Sequence, residues 1–231
     1  MPTKNSRKAY LPQGYYHIYN RGLEKRDIFL DEQDYAVFLG YIKTYLSPKD
    51  TNTLRNRLTS KDLVYQERQR ALKELSLNNF FGQISLLAYC LMPNHFHLLI
   101  NQKIINGIDK FLNSLGTRYV MYFNRKYKRV GHLFQGVYKA VLAETNEQLL
   151  YLTKYIHRNP AMQFPDEQGL ALIKQPSSYL GYLGKRKTPW IDTREILSFF
   201  SKSNPQLSYE NFVNQSESPV SPISGITLDE E

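Results

Sequence analysis

A single cysteine in 231 residues, Cys90, excludes an intramolecular disulfide and any metal site built from a cysteine cluster. It lies in the apolar run 84–91 and reads as a buried core thiol. No run approaches the roughly 20 apolar residues of a membrane-spanning helix. The opening residues 1–8 are basic but lack a hydrophobic core of signal-peptide length, so a cytoplasmic protein without a membrane partner is expected. Acidic residues are scarce in the body of the chain. Five of the 21 acids fall between Pro205 and Glu231, where there is no Lys or Arg. The first 204 residues therefore hold all 30 cations against 16 acids, a net charge of +14.

What is abundant points one way. Eighteen tyrosines and twelve phenylalanines accompany the excess cations. Lys and Arg neutralise phosphates and aromatic faces stack on bases, so nucleic acid is favoured over acidic proteins or membranes as a partner. The apolar fraction of 42% supports a sizeable core. The length suits one domain, or one with an extension.

The most informative stretch is Met92-Pro93-Asn94-His95-Phe96-His97-Leu98-Leu99-Ile100, which follows the apolar run 84–91. Two such runs around Pro93-Asn94 predict a β-hairpin. Strand alternation puts His95 and His97 on one face and Phe96 on the other. Two imidazoles one pleat apart suit a divalent metal, since neutral imidazole is a common ligand. A polar strand face is the plain alternative.

Elsewhere, Tyr15–Asn20 predicts a strand with Tyr15, His17 and Tyr19 on one face, ended by Arg21-Gly22. Asp31 or Asp34 caps an expected helix with Tyr35, Phe38, Leu39, Ile42 and Tyr45 on its apolar stripe, stopped at Ser47-Pro48. Residues 49–79 read as an insertion, partly helical around 63–75. A helix is expected over 107–129 and a strand over 133–143, with Gly136 permitting a bulge or close approach. From Lys103 to Lys139 there are eight cations and one acid, Asp109. The cluster Arg125-Lys126-Tyr127-Lys128-Arg129 is a candidate phosphate-contacting edge, although a solvated helix end has the same composition.

A further helix begins at Thr145 or Asn146 and is expected to close at Asn159, before Pro160. Tyr151, Tyr155 and Asn159 recur every four residues, forming one stripe while Leu149, Leu152 and Ile156 face the core. His157 lies about 200° round the helix from Tyr155 and is set aside as a ligand. His17 could approach the histidine pair or serve as a core or surface residue. Short helices are expected over 193–200 and 208–214, and a disordered acidic tail from about residue 215.

Taken together, His95-Phe96-His97 and Tyr155-Ile156-His157-Arg158-Asn159-Pro160 resemble the motifs of single-tyrosine HUH transposases. Residues 16–22 (Tyr-His-Ile-Tyr-Asn-Arg-Gly), 92–98 and 131–136 (Gly-His-Leu-Phe-Gln-Gly) narrow the resemblance to the REP-associated tyrosine transposases and their insertion-sequence relatives. It covers roughly residues 10–195.

The resemblance implies an α+β fold, a ferredoxin-like antiparallel sheet with helices on its faces, plus a C-terminal helical extension. It implies a catalytic domain at 10–160 with the 49–79 insertion, the extension at 161–214 and the tail at 215–231. It makes Tyr155 the nucleophile and His95, His97 and Asn159 the ligands of Mg²⁺ or Mn²⁺. The implied substrate is single-stranded DNA with a hairpin, cut and rejoined through a 5′-phosphotyrosine by a monomer or homodimer. Arg21, Arg118, Arg125, Lys126, Lys128, Arg129 and Lys139 are the candidate DNA contacts. Val137 departs from the family pattern, which has a basic residue there, and 49–79 exceeds the family minimum. A hairpin-binding protein that no longer cuts, or a nuclease that activates water, are the alternatives.

Overall fold

The computed structural model describes residues 10–60, 62–163, 174–215 and 222–223. At its centre is a four-stranded antiparallel sheet in the order β2-β3-β1-β4. The strands are β1 (Tyr15–Arg21), β2 (Ile84–Met92), β3 (His95–Gln102) and β4 (Lys139–Ala143). Helix α1 (Glu32–Leu46) and the insertion helices α2 (Thr51–Thr59) and α3 (Tyr65–Ser76) connect β1 to β2. Helix α4 (Gly107–Lys126) connects β3 to β4, and α5 (Asn146–Gln163) follows. This is the ferredoxin-like βαββαβ arrangement.

Strand alternation sorts the core into two clusters. Tyr16, Ile18, Phe96, Leu98 and Ile100 face α1 and α4, where Phe38 meets the rings of Phe29, Phe96 and Tyr119. An aromatic buried that deeply contributes about 2 kcal/mol by area alone. On the other face Ala88, Cys90, Met92 and Leu99 meet α5, the short helices Tyr179–Tyr182 and Arg194–Leu197, and Tyr209 and Val213 of helix Tyr209–Asn214. A bulge between Leu86 and Ala88 lets Leu87 and Ala88, adjacent in sequence, serve the same cluster.

Local chemistry fixes the boundaries. The Asp31 side chain accepts from the Asp34 amide and starts α1. Thr145 Oγ1 accepts from the Gln148 amide, and Gln148 Oε1 accepts from the Glu144 amide, a reciprocal cap on α5. A Cβ on Gly22 would stand 2.0 Å from the Arg26 carbonyl oxygen. Only glycine therefore lets β1 turn into the segment that wraps Pro93-Asn94, where the Gly22 amide donates to the Asn94 carbonyl at 2.8 Å.

Four expectations are corrected. The insertion carries two helices instead of one. Helix α4 stops at Lys126, because Lys128 takes a left-handed φ of 51°. The strand expected over 133–143 begins only at Lys139. Gly136 at φ 112° turns the chain, and residues 133–136 dock on the end of β1 through the Leu23 and Gln135 amides. Helix α5 runs through Pro160 to Gln163, since a proline near a helix end loses one amide donor without forbidding another turn. It is also buried on both sides, at Tyr155, His157 and Asn159 as well as Leu152 and Ile156.

The C-terminal segment covers the free edge of β2. The Leu91 amide donates to the Pro176 carbonyl at 2.9 Å, and the Asp192 amide to the Leu86 carbonyl at 2.8 Å. Much of the tail expectation falls outside the described residues, as do 164–173 of the extension. Ile223, however, is buried in the second cluster.

Candidate active site

Antiparallel pairing brings the sequence candidates into rows on the α5 face. His95 pairs with Met92 and Arg21, and His97 with Cys90 and Tyr19, which in turn pairs with Lys139. His17 pairs with Leu99 and is therefore the diagonal neighbour of His97. Helix α5 covers these rows. The Tyr155 ring stands edge-on to His97 at 5.4 Å and to His17 at 5.8 Å. One turn on, Asn159 Oδ1 lies 3.1 Å from His95 Nε2. His95, His97, Tyr155 and Asn159 thus converge, each at most 3% exposed.

The environment of His97 favours a neutral imidazole. Burial, with His95 and His17 alongside, holds His97 well below the usual histidine range. The partners of His95 define its tautomer. Asn94 donates from Nδ2 to the Lys25 carbonyl at 3.2 Å, so its Oδ1 faces His95 Nδ1, 2.6 Å away, and accepts that proton. The lone pair of a neutral His95 Nε2 then points at Asn159 Oδ1. Two acceptors at 3.1 Å are relieved by a proton, a rotated amide or a cation shared between them. Two donors on one octahedral Mg²⁺ stand about 3 Å apart, so the spacing suits a cation. His97 Nε2 is buried without a hydrogen-bond partner, as a nitrogen kept for a ligand would be. Among the described residues no three His, Cys, Asp or Glu side chains group into a metal site. The candidate set is therefore two imidazoles and an amide oxygen.

Tyr151, which shares the helical stripe of Tyr155, and the discounted His157 lie elsewhere. Tyr151 packs against Phe212 of the C-terminal helix, with ring centroids 5.6 Å apart. His157 faces away and is fully buried. Its Nδ1 is 2.6 Å from the Tyr209 hydroxyl and its Nε2 2.7 Å from Ser178 Oγ.

The seven DNA-contact candidates divide. Arg21, the cross-strand neighbour of His95, donates from Nε to Gln135 Oε1 at 2.6 Å. Lys139 is exposed at the end of the His97 row. Exposed Lys128 and half-buried Arg129 occupy the loop after α4. Arg118 and Arg125 instead line a groove with Tyr41 and Lys73 between α1, α3 and α4, on the sheet's other side. The Arg118 guanidinium carbon lies over the Tyr41 ring, 3.9 Å from its centroid. Lys126, the remaining candidate, is engaged within the protein. It holds Asp31 and Asp34 at 2.7 and 2.8 Å, which occupies its charge within the protein. Burial alone would raise the Asp34 carboxyl. Lys126, the Leu30 amide and the hydroxyls of Tyr127 and Tyr122 outweigh it and hold that group below the usual carboxylate range.

Two contributors were not in the expected set, Asn94 and Gln135, and for His17 the sequence leaves open whether it approaches the histidine pair or serves as a core or surface residue. Alternation placed His17 on the same strand face as Tyr15 and Tyr19, but only the β1–β3 register shows that this face adjoins His97. Asn94 and Gln135 carry no sequence signal beyond lying within the matching strings.

A ferredoxin-like sheet with a histidine–hydrophobe–histidine strand beside a tyrosine helix defines the HUH class. Residues 51–159 match the family model described as "Transposase IS200 like", a stretch that contains His95, His97, Tyr155 and Asn159. Over that stretch, just under half of its length, the chain is similar to the single-tyrosine HUH transposases. A solved REP-associated tyrosine transposase bound to a REP hairpin shares the fold. It has 11% identity and a TM-score of 0.50 over 83% of this chain and 92% of its own. A crystal structure of a Deinococcus radiodurans R1 protein, provisionally described as a transposase, has 15% identity and a TM-score of 0.32. That alignment covers 67% of this chain and 96% of the other. No curated protein matches the chain. No helix among the described residues is long and apolar enough to cross a membrane.

Proposed function

We propose that this protein is a metal-dependent single-stranded DNA transposase that recognises a DNA hairpin and cuts and rejoins strands through Tyr155. The reading rests above all on Tyr155 standing edge-on to His97 while Asn159, one turn along the same helix, meets His95. His95, His97 and Asn159 would hold Mg²⁺ or Mn²⁺, the latter better suited to nitrogen ligands. The bound cation supplies a Lewis acid for the scissile phosphate.

The Tyr155 oxygen attacks phosphorus and the bond to the 3′-oxygen breaks. The 3′-oxygen leaves with a proton as a free hydroxyl, and the 5′-phosphate stays on the tyrosine. Later attack by a 3′-hydroxyl reverses this exchange and rejoins strands without loss of bond energy to water. Arg21 and Lys139 flank the histidines on the same sheet face and suit the neighbouring phosphates. Hairpin recognition is supported by the REP hairpin bound to the REP-associated tyrosine transposase of similar fold. We place the catalytic domain at 10–160, including the 49–79 insertion, with the C-terminal extension locking α5.

One observation favours a second reading, a hairpin binder that does not cut. Tyr155 is only 3% exposed, so a strand reaches it only if α5 or its covering moves. Incubation of a labelled DNA hairpin with the protein and Mn²⁺, followed by denaturing electrophoresis, separates the two. The transposase reading expects a covalent labelled band that is absent from Tyr155→Phe. Hairpin binding with intact DNA and no band leaves the binder.

A further inference from the structure

We infer that His17 is a positioning residue of the metal centre, holding His97 in the one tautomer that can bind a cation. The inference rests on the proposed metal site. His17 is fully buried, and its Nε2 lies 2.9 Å from His97 Nδ1. One of those nitrogens donates and the other accepts. If His97 donates from Nδ1, its Nε2 carries the lone pair, and that is the atom left buried without a partner. If it accepted at Nδ1, Nε2 would carry a proton with nothing to receive it, at a cost of about 1–3 kcal/mol. The first arrangement also presents an imidazole ready to coordinate, its far nitrogen bonded as in metal-bound histidines generally.

The packing holds this contact in one geometry. The His17 ring is stacked on His97 at 5.1 Å with planes 18° apart, and lies against Tyr19 at 5.0 Å. It also meets the Tyr155 ring edge-on. A side chain confined by a ligand, the nucleophile and a third ring cannot rotate without disturbing all three. His17 therefore couples the orientation of His97 to the seat of Tyr155.

The test uses the full chain and Mn²⁺ alone, with binding measured by titration calorimetry and fold by circular dichroism and melting. His17→Phe keeps the ring volume and removes the acceptor, and should weaken Mn²⁺ about 10–100-fold. His17→Gln restores an acceptor oxygen and should bind close to wild type. A folded His17→Phe that binds Mn²⁺ as well as wild type overturns the inference, as does equal loss in both variants. Wild-type protein that binds no Mn²⁺ beyond a His95→Ala, His97→Ala control overturns the metal site and the inference with it. Nitrogen-15 NMR of the unsubstituted protein decides even if both variants misfold. A proton on His97 Nδ1 is expected, and a proton on Nε2 is the contrary result.

Discussion

Asn159 Oδ1 and His95 Nε2 face each other across 3.1 Å, joining a helix to a strand that lies 64 residues away in the chain. The contact spans the interface between α5 and the sheet, so whatever seats α5 also sets the geometry between the histidines and Tyr155. The C-terminal segment provides that seat, through Tyr209 and Ser178 on His157.

Loss of the amide oxygen should be felt at the metal before it is felt by the fold. Asn159→Ala is expected to weaken Mn²⁺ at least about tenfold with a small change in melting temperature. Asn94→Ala, which frees His95 Nδ1, should weaken Mn²⁺ in the same direction. Calorimetric titration of both variants checks this, and unchanged affinity in Asn159→Ala would remove that residue from the ligand set.

His157 should make the fold acid-sensitive. Burial pushes it down to about 3, against an unfolded value near 6.5. The unfolded chain therefore takes up a proton between those values while the folded chain does not. The contribution is complete above about pH 6.5 and is lost as pH falls toward 3, at most about 5 kcal/mol. Urea unfolding at pH 7, 5.5 and 4.5 should show a steeper decline in wild type than in His157→Gln; parallel curves would contradict it.

Cations near the histidines should differ from those tied to carboxylates. Arg21→Ala and Lys139→Ala should weaken hairpin binding and each lower the salt slope by about one. Lys126→Ala should leave that slope unchanged. It should lower stability instead, because it strips a partner from buried Asp34. Mobility shifts across a salt series and denaturant melts read both. A lowered slope in Lys126→Ala would return that residue to the DNA surface.

Strand alternation made the sheet legible: His95 and His97 on one face and Phe96 on the other follow from a period of two. The helix stripe likewise placed Tyr155 and Asn159 together and set His157 apart. What escaped depended on contacts distant in sequence. Nothing near His17 shows that β1 lies beside β3, and nothing near Lys126 shows two carboxylates from the start of α1. Pro160 misled because pre-proline bias is a preference that packing overrides. Gly136 was read as permitting a bulge or close approach within a strand, whereas it turns the chain before the strand begins at Lys139.

The central claim is that Tyr155 takes the 5′-phosphate. Proteolysis of a protein–hairpin reaction, followed by mass spectrometry of the cross-linked peptide, tests it most directly. The account predicts a nucleotide on Tyr155 alone, and an adduct in Tyr151→Phe and none in Tyr155→Phe. A nucleotide carried by Tyr151 or Tyr19, or DNA cleaved with no adduct at all, would contradict it.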